Sequence, residues 1–399
     1  MAGHLKARGF FPTETAEDAD LLVLNTCTVR QHAEDKALSY IGRLRAWKEK
    51  KKPRKIIVAG CAAERLKKNL RHRFNHIDLV AGAKSIDQFP QLLDSLFSSE
   101  MAGKGTVPKG TVPFPAVGTV PTAPTFNWFE ESENSFENGS LRSEGEPLVL
   151  GDSDQTAFVT IMRGCNYSCS YCIVPSVRGR EIYRDKDIIL NEIKEKIGNK
   201  SREVMLLGQT VNSYWHRPRD GSNSIYDFSD LLRDVEKING VASIKFMSPH
   251  PHYMSEKLIL TIEESKKISS QIHLPAQSGS NEILKRMRRN YSREEYIQFA
   301  LKLARARKDL QLSTDFIVGF PGESDADFAQ TLDLIDKVKF SMAFCFKYST
   351  RPGTESSAFK DDIPTEVKEE RLSQLLKKLE TSRVIRDGAL FVGQIGLRP

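Results

Sequence analysis

The chain has 399 residues, 39% hydrophobic and 28% charged, the composition of a globular protein long enough for two or three domains with real cores. No apolar run approaches the ~20 residues of a membrane span. The opening MAGHLKARGFFPTETAEDAD is too acidic and too weakly apolar for a signal peptide, so a cytoplasmic location without a membrane partner is expected. A net charge of +7 permits a nucleic-acid partner without requiring one, and the six cysteines read as metal ligands or core residues rather than disulfide partners.

Residues 1–97 alternate strand and helix signals. DADLLVLNTC and KIIVAGC are short apolar strands that each end at a cysteine, HIDLVAG is a third strand, and helix-like stretches separate them. Short buried strands alternating with helices predict a parallel α/β domain. The basic run RLRAWKEKKKPRK at 43–55 reads either as a solvated helix end or as a phosphate-contacting patch. Residues 98–148 break the pattern. GTVP occurs three times in a Pro/Gly-rich tract, and an acidic, Ser/Asn-rich stretch follows. Too little apolar surface is present to offset the entropy of ordering, which predicts a flexible linker.

From 149 to 383 six strand candidates recur: FVTIM, EVMLL, ASIKFM, SQIHL, LSTDFIV and AFCFKY. Helical segments such as DKDIILNEIKEKI and DADFAQTLDLIDKV separate them, so the second domain is expected to be an open (β/α)6 barrel. A long charged helix at about 364–383 would pack on its outside. Each strand runs into a polar or glycine-containing loop: GCNYSCSYC, GQTVNSY, SPHPHY, PAQSGS, GFPGE and STRPGT. Loops at the C-terminal ends of barrel strands converge on one mouth, where a single large site is expected.

The sharpest chemical signal is Cys165-x3-Cys169-x2-Cys172, directly after the first barrel strand. Three thiolates on one short loop suit a cubane iron–sulfur cluster and leave one iron open to a small molecule. Zinc also takes soft thiolates, but no fourth Cys or His stands at zinc-ribbon spacing. Cys27 and Cys61, each at a strand end in the first domain, read as inert core cysteines or as ligands. Cys345, between Phe344 and Phe346, reads as a core residue. His250 and His252 form H-x-H, more in keeping with a hydrogen-bonding loop than with a metal. Arg286, Arg288 and Arg289 read as a charged helix end or as phosphate contacts, and Gly319 and Gly322 as a tight turn or a ligand approach.

The loop RGCNYSCSYC resembles the signature of radical-SAM enzymes, with Tyr171 matching the aromatic residue that precedes their last ligand. The resemblance implies a [4Fe–4S] cluster on Cys165, Cys169 and Cys172. Its open iron would bind S-adenosylmethionine, and one electron would cleave the sulfonium to give a 5′-deoxyadenosyl radical. LNTCTVR and VAGCAAER resemble the amino-terminal domain of methylthiotransferases, which implies that Cys27 and Cys61 hold an auxiliary [4Fe–4S] cluster that supplies sulfur. LLGQTVNSY, MSPHP, HLPAQSGSNEILKRMRRNYSREEY, DFIVGFPGE and FKYSTRPGT resemble the tRNA-modifying branch of that family. By this resemblance Tyr171, Gln209, Asn212, Ser248, His250, Gln277 and Ser278 hold S-adenosylmethionine or the target base, and no catalytic residue is expected beyond the cluster ligands.

The implied reaction adds a methylthio group to C2 of N6-isopentenyladenosine beside the anticodon of tRNA, whose loop nucleotides are open to an enzyme. The implied partners are the anticodon loop and an electron donor such as flavodoxin or ferredoxin, with the enzyme a monomer. The alternatives are methylthiolation of threonylcarbamoyl-adenosine or of a ribosomal-protein aspartate, or an inactive RNA-binding relative. The family pattern also has an auxiliary cysteine upstream of Cys27, which these residues lack, and a C-terminal TRAM domain, of which 384–399 would be only a stub. A poorly held auxiliary cluster and weakened RNA affinity are the corresponding expectations.

Overall fold

The computed structural model describes residues 1–29, 31–51, 53–101, 125–130, 156–198, 201–217 and 225–387. The chain divides into two compact units: the described residues up to 130, together with Ser176–Arg178, and the remaining described residues from 156 onward.

The first unit holds strands β1 (Phe11–Pro12), β2 (Leu21–Thr26), β3 (Lys55–Gly60), β4 (Leu79–Gly82) and β5 (Thr125–Glu130), and helices α1 (Ala2–Lys6), α2 (Gln31–Lys50), α3 (Cys61–Arg73) and α4 (Phe89–Met101). Among the described residues the sheet is wholly parallel, in the order β1-β5-β2-β3-β4. LLVL and KIIVA read as continuous apolar runs because parallel strands are covered on both faces. Leu21, Val23, Ile57 and Ala59 pack with Leu5, Phe89 and Leu93, beneath α1 and α4. Leu22, Leu24, Ile56 and Val58 pack with Ile41, Leu44, Trp47 and Leu70 of α2 and α3.

One strand was not expected. Thr125–Glu130 lies inside the segment read as a linker, yet it pairs with both β1 and β2, and α4 runs on to Met101. The flexible-linker expectation therefore fails for 125–130; residues 102–124 and 131–148 lie outside the described residues, as does 388–399.

The second unit runs through β6 (Thr156–Thr160), β7 (Met162–Arg163), α5 (Val174–Arg178, of which Ser176–Arg178 group with the first unit), β8 (Ile182–Tyr183), α6 (Lys186–Gly198), β9 (Glu203–Leu207), β10 (Trp215–His216), β11 (Tyr226–Asp227), α7 (Phe228–Lys237), β12 (Ser243–Phe246), α8 (Glu256–Glu264), β13 (Gln271–His273), α9 (Asn281–Arg286), α10 (Arg293–Ala306), β14 (Gln311–Val318), α11 (Asp325–Val338), β15 (Met342–Lys347) and α12 (Thr365–Asp387). The six long-range strands stand side by side in chain order. β6-β9-β12 and β13-β14-β15 are parallel sheets, and a parallel bridge from Ile244 to Ile268 stitches them together. Among the described residues no pairing closes β15 onto β6, so the arc is an open six-stranded barrel.

β14 shows the logic of the arc. Leu312, Thr314, Phe316 and Val318 are buried, whereas Ser313, Asp315 and Ile317 alternate with them on the opposite, half-buried face. Capping boxes at Ser292/Glu295 and Ser324/Asp327 fix where α10 and α11 begin. α12 buries Leu375 and Leu379 against the barrel core, and its Arg371 reaches Glu323 (2.9 Å) and Asp325 (2.7 Å) at the GFPGE loop. Among the described residues no helix is long and apolar enough to cross a membrane.

Candidate active site at the barrel mouth

The cysteine loop leaves β7 through Gly164, whose φ of +77° suits glycine; a Cβ there would sit 2.1 Å from the Arg180 carbonyl oxygen. Gly164 N–H donates to Gln209 Oε1 (2.7 Å), and Cys165 N–H donates to the Gly179 carbonyl (3.1 Å). Further along, Ser170 donates through its hydroxyl to the Arg286 carbonyl (2.8 Å) and through its N–H to that of Met287 (3.1 Å). Tyr171 packs into a separate apolar cluster with Ile283, Met287, Phe320 and Tyr348. The loop is thus pinned at both ends while Cys165, Cys169 and Cys172 stay half-buried and free of disulfides.

Cys165 Sγ lies 3.5 Å from Thr210 Oγ1, and Cys169 Sγ accepts from Arg289 Nη1 at 3.6 Å. Burial raises the Cys165 thiol and pushes Cys172 up to about 12, with Cys169 beside it adding to the effect. Burial thus disfavours the thiolate form, and a bound iron would supply the positive charge that favours it. Among the described residues no three His, Cys, Asp or Glu side chains gather as ligands of a single ion. A cubane instead takes its thiolates from separate corners, and three soft donors on one loop, one of them bonded to a guanidinium, suit that group.

The other residues read as ligand contacts divide into two kinds. Gln209 Oε1 and both amide atoms of Asn212 bond to backbone. Gln209 holds Gly164, while Asn212 accepts from His250 N–H (2.7 Å) and donates to its carbonyl (2.9 Å), tying the loop after β9 to the loop after β12. Ser278 is buried and accepts from Ser280 N–H (3.2 Å). Ser248 and Gln277 adopt positive φ (+58° and +68°), as does Arg288 (+54°). Ser248 and Gln277, held in that region on mouth loops, mark stored backbone strain, which concentrates at functional sites; Arg288 adopts it just past the end of α9, as helix endings commonly do. Gln277 is held there by backbone bonds to Asp315 and Ile317 of β14 (2.8 and 2.9 Å).

His250 is buried and stacks on Tyr167 of the cysteine loop, with ring centroids 4.0 Å apart. Its Nδ1 accepts from His252 N–H (3.2 Å), which leaves the proton on Nε2, a buried atom without a hydrogen-bond partner. Burial, reinforced by Arg289 and His252, lowers its pKa to about 2. The unfolded chain takes up a proton below pH 6.5 that the folded site refuses. Stability from this group is therefore complete above pH 6.5 and is lost as pH falls toward 2, at about 1.4 kcal/mol per pH unit. His250→Phe keeps a ring against Tyr167 and should remove that slope, seen in unfolding free energies between about pH 5 and about pH 7. An unchanged slope would mean that His250 is not held neutral.

The arginines after α9 also separate by role. Arg286 lies over the Phe359 ring (5.8 Å), Arg288 pairs with Glu355 (2.7 Å), and Arg289 turns inward to Cys169. Ser168, Asn281, Lys285, Arg288, Arg289 and Asn290 line an open groove of about 480 Å³ beside the cysteine loop. Cys345 is half-buried and packs against the barrel core. Gly319 and Gly322 have φ of +68° and +81°, in the tight turn whose Gly319 N–H donates to Glu323 (2.7 Å). The 43–55 run is largely engaged within its own unit. Arg54 stacks over Trp47 (4.5 Å), Lys48 pairs with Asp78 (2.6 Å) and Lys51 with Asp20 (3.0 Å).

In the first unit the register pairs Thr26 with Gly60, so Cys27 and Cys61 leave adjacent strand ends. Gly60 takes φ +96°, and a Cβ there would lie 2.4 Å from the Thr26 carbonyl oxygen. Thr28 and Arg65 both engage the buried carboxylate of Glu34, fixing the loop behind Cys27. Cys61 is buried and Cys27 half-buried.

An open parallel βα barrel with a Cys-x3-Cys-x2-Cys loop after its first strand defines a radical-SAM protein. Residues 159–335 match the Radical SAM superfamily model, and residues 1–82 match a model described as uncharacterized protein family UPF0004. The structure is also similar to the radical S-adenosylmethionine methyltransferase TsrM from Kitasatospora setae, with a TM-score of 0.56 and 17% identity over 86% of this chain and 64% of that one. At the level of sequence, the chain is 39% identical to the tRNA-2-methylthio-N(6)-dimethylallyladenosine synthase of Caldicellulosiruptor saccharolyticus, over 95% of this chain and 74% of that protein. It is 37% identical to the synthase of the same name from Opitutus terrae, over 98% and 82%. The chain belongs to the family of tRNA-2-methylthio-N(6)-dimethylallyladenosine synthases.

Proposed function

We propose that the chain methylthiolates C2 of N6-dimethylallyladenosine in tRNA, in the cytoplasm, drawing electrons from a flavodoxin- or ferredoxin-like donor. The observation that carries this reading is the cysteine triad, pinned at the barrel mouth inside a chain that aligns along most of its length with synthases of that name. Cys165, Cys169 and Cys172 hold one [4Fe–4S] cluster, and Cys27 and Cys61 contribute to a second in the first unit. When bound, these groups and S-adenosylmethionine supply radical C–H cleavage and sulfur transfer.

The chain's own part is placement. Gly164, Gln209 and Ser170 fix the triad, Asn212 locks two mouth loops together, and Gln277 and Ser248 present strained backbone to the ligands. The groove holding Lys285 takes RNA phosphate by charge complementarity. Lys285→Ala should weaken tRNA binding and lower the salt slope by about 1, leaving cleavage of S-adenosylmethionine unchanged. An unaltered slope would place the RNA elsewhere. The proposal as a whole is tested by mass spectrometry of tRNA nucleosides from a deletion strain. The 2-methylthio derivative should vanish and its N6-dimethylallyl precursor accumulate; retention of the derivative would refute the reading.

A further inference from the structure

Of the three arginines after α9, Arg286 and Arg288 are exposed, whereas Arg289 is half-buried and turns toward the cysteine loop. Nη1 donates to Cys169 Sγ (3.6 Å), Nε to Tyr291 Oη (3.0 Å) and Nη2 to the Pro275 carbonyl (3.4 Å). Tyr291 is itself fixed, because its hydroxyl donates to the Ala276 carbonyl (2.8 Å) and the guanidinium lies 5.1 Å from its ring centroid. The planar fork is therefore set by a phenol and a carbonyl, with its third direction aimed at the sulfur. A lysine could not span those three acceptors.

The charge balance points the same way. A half-buried guanidinium is costly unless an anion compensates it, yet among the described residues Arg289 pairs with no carboxylate. The carboxylate on this loop, Glu181, bears instead on Cys165, and Asn166, Tyr183 and Ser213 donate to it. Arg289 bears on both Cys169 and Cys172. A cluster held by the thiolates of this loop would supply that compensating anion.

We propose that Arg289 is a positioning residue of the radical cluster: its guanidinium, hydrogen-bonded to Cys169 Sγ, orients that ligand and raises the cluster's reduction potential. Hydrogen bonds to cluster sulfurs and nearby positive charge both favour the reduced, more negative state. Without them the same electron donor reduces a smaller share of the enzyme. The inference rests on the triad's assignment as cluster ligands. That assignment has its own control: loss of iron in the Cys165/Cys169/Cys172→Ala variant.

The test is a redox titration of the reconstituted full chain, followed by electron paramagnetic resonance, for wild type, Arg289→Gln and Arg289→Lys. The expected result is a midpoint potential shifted downward in Arg289→Gln, and a smaller downward shift in Arg289→Lys, which keeps the charge and loses the fork. A wild-type midpoint in Arg289→Gln at unchanged iron content would overturn the proposal. Should Arg289→Gln fail to take up the cluster, Arg289→Lys decides, and a wild-type midpoint there overturns it equally. A merely structural role would lower iron content or stability without moving the potential of the clusters that do form.

Discussion

Replacing Cys165, Cys169 and Cys172 together with alanine should remove about four irons per chain and bring formation of 5′-deoxyadenosine to background. The three side chains sit on a loop fixed by Gln209, Ser170 and the Gly179 carbonyl rather than by one another, so the variant should still fold. Alanine also spares Gly164, the position where the backbone tolerates no side chain. Circular dichroism and iron analysis would establish fold and loading, and chromatography would follow the nucleoside. Undiminished cleavage of S-adenosylmethionine in the triple variant would remove the basis for calling the mouth a radical site.

The second large effect concerns the first unit. Cys27 and Cys61 emerge from neighbouring strand ends in register, with Gly60 holding the backbone close and Glu34, Thr28 and Arg65 bracing the loop. Two cysteines leaving adjacent strand ends beside such a brace are proposed as ligands of the auxiliary cluster. In the full chain, Cys27→Ala combined with Cys61→Ala should lower methylthiolation by more than about a hundredfold, since losing a ligand costs at least as much as losing its supporting contacts. Formation of 5′-deoxyadenosine should persist, because the triad is untouched. Equal loss of both activities would tie these cysteines to the radical step instead.

Much of this architecture was legible in the residues. Six apolar strand segments, each followed by a polar or glycine-bearing loop, are what an open parallel barrel requires, and the structure places all six in chain order. What escaped detection depended on long-range partners. TFNWFE forms a strand only by inserting between β1 and β2, and nothing in a Pro/Gly-rich, acidic neighbourhood advertises that pairing. Gln209 and Asn212 look like ligand donors in a motif, yet the Gln209 oxygen and the whole Asn212 amide bond to loop backbone. Arg289 sits in the segment RMRR at 286–289, and only the fold separates its inward guanidinium from those of Arg286 and Arg288. Positive φ at Ser248 and Gln277 left no trace in residue type, because neither is a glycine.

The reaction comes down to activating one particular C–H bond. Deuterium placed at C2 of the N6-dimethylallyladenosine in tRNA, which is then incubated with the reconstituted enzyme, a reductant and S-adenosylmethionine, reports on that bond. One deuterium should appear in the 5′-deoxyadenosine produced, and a methylthio group at C2 of the RNA adenosine. Unlabelled 5′-deoxyadenosine, with deuterium retained at C2 and no methylthio product in the RNA, would contradict it.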